Sequence, residues 1–198
     1  MTTKTDRVGA EYVWVPPSAR LAGFWMQRTP VTHAQWRAAV DAAVCVAPRR
    51  HWAYDDPAMA QHPVTYVGRA QARRYAAWVG GRLPRDAEWT WAAQGDDGRI
   101  YPWGCQPPDA SRANAANVIG ETTPVGSHPA GASPFGLLDL AGNVWEWVDP
   151  DDGGERPFIA RGGAFYTRTR FIACRARLRN GNVSTIYYVG FRVVIPER

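Results

Sequence analysis

Cys45, Cys105 and Cys174 are the only thiols of the chain. They lie far apart and form no C-x-x-C pair. Their odd number fits free, buried thiols in a reducing compartment better than a disulfide framework. His33, His51, His62 and His128 fall in no metal-ligand spacing, so each is read as a structural or surface histidine. Lys4 is the only lysine, and arginine carries almost all of the positive charge behind the net +5 and the pI of about 9.4. Guanidinium forks pair with carboxylates and stack on aromatic rings. A nucleic-acid footprint would cluster them on one face of a recognisable module. Here they are spread through segments that also hold core aromatics, so nucleic acid is disfavoured as a partner.

The elements that must position these residues come from a chain of 198 residues, 45% hydrophobic and 12% aromatic. That is enough for one full-sized core and argues against disorder. Ten Trp imply a core laced with indole hydrogen bonds, or a lined groove. Gly 19 and Pro 16 imply much turn and loop. The opening MTTKTDRVGAEY has no apolar stretch before a cleavage site, and no run is long enough to span a membrane. The expectation is a cytoplasmic, membrane-free protein.

EYVWV and LAGFWMQ read as short strands. Thr32 and Gln35 make a T-x-x-Q capping box opening a helix through WRAAVDAA, with Trp36, Val40 and Ala43 at helical spacing. GRAQARRYAAWV predicts a second helix, stopped by Gly80-Gly81. RDAEWTWAAQG predicts a third, short one, from Glu88 near its start to Gly95 at its end. Residues 96–160 read as long and weakly regular, punctuated by YPWG, SPFGLLDL and NVWEW. The tail from IARGGAF to GFRVVI reads as strands around an irregular loop. Pairing EYVWV with GFRVV would close one sheet.

Five segments carry a resemblance. They are PVTHAQW (30–36), HPVTYVGRAQARRYAAWVGGRLPRDAEWTWAAQG (62–95), YPWG (101–104), TTPVGSHPAGASPFGLLDLAGNVWEWV (122–148), and RGGAF with GFRVV. Together they resemble the formylglycine-generating-enzyme, or sulfatase-modifying-factor, domain across nearly the whole chain. The resemblance implies an α+β, C-type-lectin-like fold, with a small antiparallel sheet, two main helices and extensive irregular loops. Residues 1–198 would form a single domain. The enzyme resembled oxidises a client cysteine with two copper-binding cysteines after RGG, a soft thiolate pair suited to Cu(I). Those positions are Thr167 and Ile172 here, and Ala164 replaces the serine after RGG. Cys174 lies two places further on, about 7 Å along a strand, and a lone thiol cannot make the pair. No copper and no enzymatic activity are expected. Iron-dependent enzymes of the same family resemble it too, but draw their histidines largely from an extra N-terminal domain.

The family's calcium site in NVWEW would fall on Asp139, the carbonyls of Gly142 and Val144, and Glu146. These are hard oxygen donors suited to structural Ca²⁺. The competing reading pairs Asp139 and Glu146 with tail arginines, Arg161 among them. A second family site, beginning at Asn117-Val118, is cut short by IGETT.

The tail departs from common relatives in one direction. Ile186, Tyr187 and Tyr188 stand where the usual run has asparagines, and Tyr166, Thr167, Thr169, Phe171 and Ile172 replace an Asn-rich stretch. This resembles the variable proteins of diversity-generating retroelements, in which template adenines are randomised. An AAC codon so treated yields Tyr, Ile, Thr, Ser, Val, Phe or Asn, but never Lys, Glu, Gln, Trp or Met. None of those five occurs from Arg161 to Ile195. Ordinary strand composition is the bland alternative. The expected function is therefore non-catalytic ligand binding by a diversified surface within 164–189. Its residues would be Tyr166, Thr167, Thr169, Phe171, Ile172, Asn182, Val183, Ser184, Thr185, Ile186, Tyr187 and Tyr188, and its partner a protein or other macromolecule. The alternatives are a formylglycine-generating-type oxidoreductase or accessory protein with an atypical site near Cys174, and a structural domain with no variable surface.

Overall fold

The computed structural model describes residues 2–48, 52–152, 154, 159–179 and 187–197. In chain order its strands are β1 (Thr3–Thr5), β2 (Glu11–Val15), β3 (Phe24–Gln27) and β4 (Trp145–Val148). These are followed by β5 (Ile159–Arg161), β6 (Arg177–Arg179), β7 (Val189–Gly190) and β8 (Val194–Pro196). The helices are α1 (His33–Asp41), a single turn α2 (Trp52–Asp55), α3 (Arg69–Trp78) and α4 (Asp86–Gln94). No helix among the described residues is long and apolar enough to cross a membrane.

The strands make two sheets rather than one. The first, in the order β1-β2-β3-β8, is antiparallel throughout. The two ends of the chain do share it, but β8 pairs with β3 and not with β2. EYVWV therefore finds its partners in β1 and β3, and the direct pairing with GFRVV does not form. β2 is buried on both faces. Tyr12 joins a core with Trp36, Tyr75, Trp147 and Phe191, while Val13 and Val15 join another with Phe24, Met26, Trp89 and Leu137. Alternate residues of a strand point to opposite faces, so this one sheet serves two cores.

The second sheet, in the order β6-β5-β4-β7, takes β4 from sequence read as weakly regular and its other strands from the tail read as strands around an irregular loop. β4 runs antiparallel to β5 and parallel to β7, with Glu146 opposite Arg161 on one side and Gly190 on the other. All of its residues are buried, so it shows no polar alternation.

The helices begin as their sequences dictate. The Thr32 hydroxyl accepts the Gln35 N–H at 3.2 Å, and the Gln35 amide accepts the Thr32 N–H at 3.0 Å. Ala43 lies beyond the end of α1, in left-handed conformation at φ 55°. α4 starts where Glu88 accepts the Arg85 N–H at 2.8 Å, and is as long as α1. The indoles are satisfied inside: Trp147 donates to the Val67 carbonyl and Trp89 to Glu146. Cys45 and Cys174 are buried, whereas Cys105 is exposed.

Candidate ligand-binding face

The Arg161-Gly162-Gly163 turn sends the chain from β5 toward a surface made largely by residues 165–178. Gly163 is left-handed at φ +84°, and a Cβ there would sit 2.6 Å from a methyl of Ile172. Only glycine fits that approach. Beyond it Thr167 closes a tight turn: its hydroxyl accepts the Ala164 N–H at 2.9 Å, and its own N–H donates to the Ala164 carbonyl at 2.8 Å. Backbone bonds hold the segment from behind. Ala116 donates to the Thr167 carbonyl, Asn117 to that of Phe165, and Phe165 to that of Asn143.

Two residues expected on the surface are therefore part of the framework. Ile172 is fully buried against Ala113, Ala115 and Ala141, and Thr167 is nearly so. The segment is not a strand. Thr169–Phe171 form a 3₁₀ turn with exposed side chains, and Ile172, which caps it outside the turn, faces in. Tyr166 and Tyr188 are half-buried, Thr169 is exposed, and Phe171 and Tyr187 are about half exposed. Asn182, Val183, Ser184, Thr185 and Ile186 lie outside the described residues.

The tyrosines converge. Tyr188 is fixed through its carbonyl, which accepts the Trp145 N–H at 2.9 Å. Its ring meets Tyr166 edge-on at 4.9 Å and Tyr187 at 4.7 Å, with interplanar angles of 69° and 82°. Tyr66 lies 6.3 Å from Tyr187 and Phe165 lies 5.5 Å from Tyr166. Burial, reinforced by Tyr188, holds the Tyr166 hydroxyl well above its ordinary range, so it acts as a neutral hydrogen-bonding group. This aromatic ridge has a hollow on each side. One, about 520 Å³, is lined by Trp145, Tyr166, Arg168, Phe171, Arg177 and Leu178. The other, about 230 Å³, is lined by His33, Tyr66, Glu121, Thr122, Phe165 and Tyr187 among others. Tyr66, Phe165, Trp145 and Arg168 were not expected here. Trp145 and Phe165 lie inside the motifs NVWEW and RGGAF and read as core, and Tyr66 is a distant loop residue. A larger hollow of about 750 Å³ lies beside α4, between Leu21, Trp91 and Asp151. It touches the ridge's neighbourhood only through Arg177.

The donor set does not suit copper. Where two thiolates would be needed for copper stand a hydroxyl already hydrogen-bonded and a hydrocarbon. The Cys174 thiol is pushed up to about 12 by burial, against a partial pull from Arg161, and stays protonated at ordinary pH. Of the calcium set, Glu146 is committed elsewhere. Arg192 Nη2 donates to one oxygen at 2.6 Å and Arg192 Nε to the other at 2.7 Å, which also accepts Trp89 Nε1 at 2.8 Å. Both partners of this ion pair are fully buried. A dication there would meet the guanidinium across its own ligand. Asp139 accepts the Gly126 N–H at 2.7 Å, and burial still holds its carboxyl above the usual range. Gly142 and Val144 are buried in the same segment. The tail arginine paired with Glu146 is thus Arg192. Arg161 turns to Asp86 at 3.3 Å, to the Cys174 carbonyl and to Thr90, with its guanidinium 4.9 Å from the centre of the Trp89 ring.

The profile of the sulfatase-modifying factor enzyme 1-like domain matches residues 4–196. Hercynine oxygenase of Mycolicibacterium smegmatis is 33% identical over 159 residues, covering 65% of this chain and 37% of that protein. The chain spans about a third of the length of the curated relatives it matches. Among solved structures, PvdO from Pseudomonas aeruginosa superposes with a TM-score of 0.75 at 22% identity, over 98% of this chain and 97% of that one. Variable protein 1 of Treponema denticola superposes with a TM-score of 0.72 at 19% identity, over 98% and 99%. At these identities the two structures speak to the fold alone, and it is the α+β, C-type-lectin-like fold expected from the sequence.

Proposed function

The chain belongs to the sulfatase-modifying factor enzyme 1-like family, and from that premise we propose that it binds a ligand without catalysing a reaction. The binding surface is the tyrosine ridge with its two hollows, and the chain works as the variable protein of a diversity-generating retroelement. The observation that carries this reading is the exchange at one place in the fold. Where the related enzyme needs two thiolates, this chain has Thr167 and Ile172 in structural roles. Beside them stand Tyr166, Phe171, Tyr187 and Tyr188, wholly or partly open to solvent. Tyrosine offers a large contact area on few rotatable bonds, which suits adaptable recognition. The likeness in fold to the Treponema variable protein supports the reading without specifying a ligand.

The runner-up, an oxidoreductase or accessory protein of the formylglycine-generating type, draws on the identity to hercynine oxygenase. It has to work without an ionised thiol at Cys174. Purified protein given Cu(I) and a cysteine-containing sulfatase peptide separates the two. The binding reading expects no turnover, and stoichiometric copper binding with peptide oxidation overturns it. In the genome, a reverse-transcriptase gene beside a near-copy of the 3′ end differing only at adenines supports the proposal. A neighbouring sulfatase gene supports the enzyme.

A further inference from the structure

The larger hollow beside the ridge has an apolar floor and a rim of one charge. Trp145, Tyr166, Phe171 and Leu178 supply the floor. Arg168 lines its edge, and the Arg170 guanidinium lies 4.6 Å from the centre of the Phe171 ring. Arg177 lines the hollow as well, and Arg175 and Arg179, exposed at the neighbouring positions, add positive charge around it without lining it. None of Arg168, Arg170, Arg175 and Arg179 forms an ion pair among the described residues. Arg177 does pair with Asp86, at 2.8 Å, but that same carboxylate also serves Arg161. One negative charge therefore stands against two positive ones. The sequence has no Asp or Glu between Arg161 and Pro196, so the segment itself supplies no counter-charge.

Resting on the binding-face reading above, we propose that this hollow takes an acidic, extended segment of a partner protein. Its carboxylates would pair with the arginine rim and an apolar or aromatic side chain would lie on Phe171 and Leu178. Guanidinium forks match carboxylates in a two-point geometry, and a cleft of about 520 Å³ holds a few side chains. Single-stranded nucleic acid, which also favours arginine with aromatics, fits less well. It needs flat rings stacked under successive bases and a basic track that follows the backbone. Here Tyr188 meets Tyr166 and Tyr187 edge to face, and beyond the ridge the surface turns to the exposed Glu121 of the smaller hollow.

The test uses a fluorescent peptide alternating Glu with Tyr, a matched Lys–Tyr peptide and oligo(dT), each titrated by anisotropy at low and high salt. The Glu–Tyr peptide should bind, weaken with salt, and lose about tenfold in affinity on Arg168→Gln with Arg170→Gln, with the melting temperature unchanged. Three results overturn the proposal: no binding of the Glu–Tyr peptide, binding indifferent to salt and to the arginines, or equal or tighter binding of the other two probes. A display selection with an unbiased peptide library separates this from failure of the binding face itself. Neutral or basic binders that need Tyr187 overturn the acidic class and leave the face standing. Binders indifferent to Tyr187 and Phe171 overturn both.

Discussion

Arginine is used in opposite ways in two regions of this molecule. In the interior, Arg192 and Arg161 are fully buried. Arg192 grips Glu146 and the carbonyls of Gln27, Arg28 and Leu138. On the surface, Arg168, Arg170, Arg175 and Arg179 are open to solvent and form no ion pair among the described residues. A buried guanidinium needs its charge met, and Glu146 does so for Arg192 and Asp86 for Arg161, so the interior arginines are fixed by the carboxylates and carbonyls around them. The outer ones are held by no carboxylate among the described residues, and Arg170 only lies over the Phe171 ring. The difference teaches that residue type alone says little about role in this chain, and that burial assigns it.

The comparison can be broken first at Glu146. Removing one partner of a buried pair leaves the other uncompensated, at a cost of about 3–5 kcal/mol. Glu146→Ala should therefore shift a urea transition by that amount, since Arg192 and the Trp89 indole both lose their acceptor. A cost near zero would show that the interior pair is not what fixes these residues. A sharper cut runs between neighbours. Ile172→Ala should cost about 2–5 kcal/mol as a buried aliphatic truncation. Phe171→Ala, one residue away, should stay within about 0.5 kcal/mol. Equal costs for the two would erase the boundary drawn between framework and face.

Tyr187→Ser probes the face alone. Stability should change by about 0.5 kcal/mol or less, while affinity for any selected ligand drops, because aromatic anchors dominate binding energy. A fold that collapses on this substitution would make the ridge part of the core. The smallest effect expected is that of a chelator. An ion bound only by the folded chain would raise its melting temperature by mass action. With Glu146 held by Arg192, EGTA should leave the melt where it was. A drop on chelation that disappears in Glu146→Gln would put calcium in place of the pair.

What the sequence disclosed follows the reach of each interaction. The Thr32–Gln35 box and the Gly80-Gly81 stop are decided within a few residues, and both could be read directly. β5, β6 and β7 have too few residues for any periodicity, and β4 is buried on both faces, so the second sheet carried little pattern. The partner of Glu146 was ambiguous for a similar reason. Only the parallel register of Glu146 against Gly190 brings Arg192, two residues on, to that carboxylate. At the face, the resemblance to a diversified surface grouped Ile172 with Phe171 by residue type alone. The turn at Thr169–Phe171 separates them, and nothing in the side-chain types announces that turn.

The main chain behind the ridge has a consequence for change over time. The grip on 165–167 and on Tyr188 runs largely through amides and carbonyls: Ala116 to Thr167, Asn117 to Phe165, Phe165 to Asn143, Trp145 to Tyr188. Such bonds are blind to the side chain attached at either end. A new residue at 187, the most exposed of the three tyrosines, alters what the surface says without disturbing how the segment is held. At 166 and 188, where the rings also rest on the core, the backbone grip persists while the packing sets which side chains are tolerated.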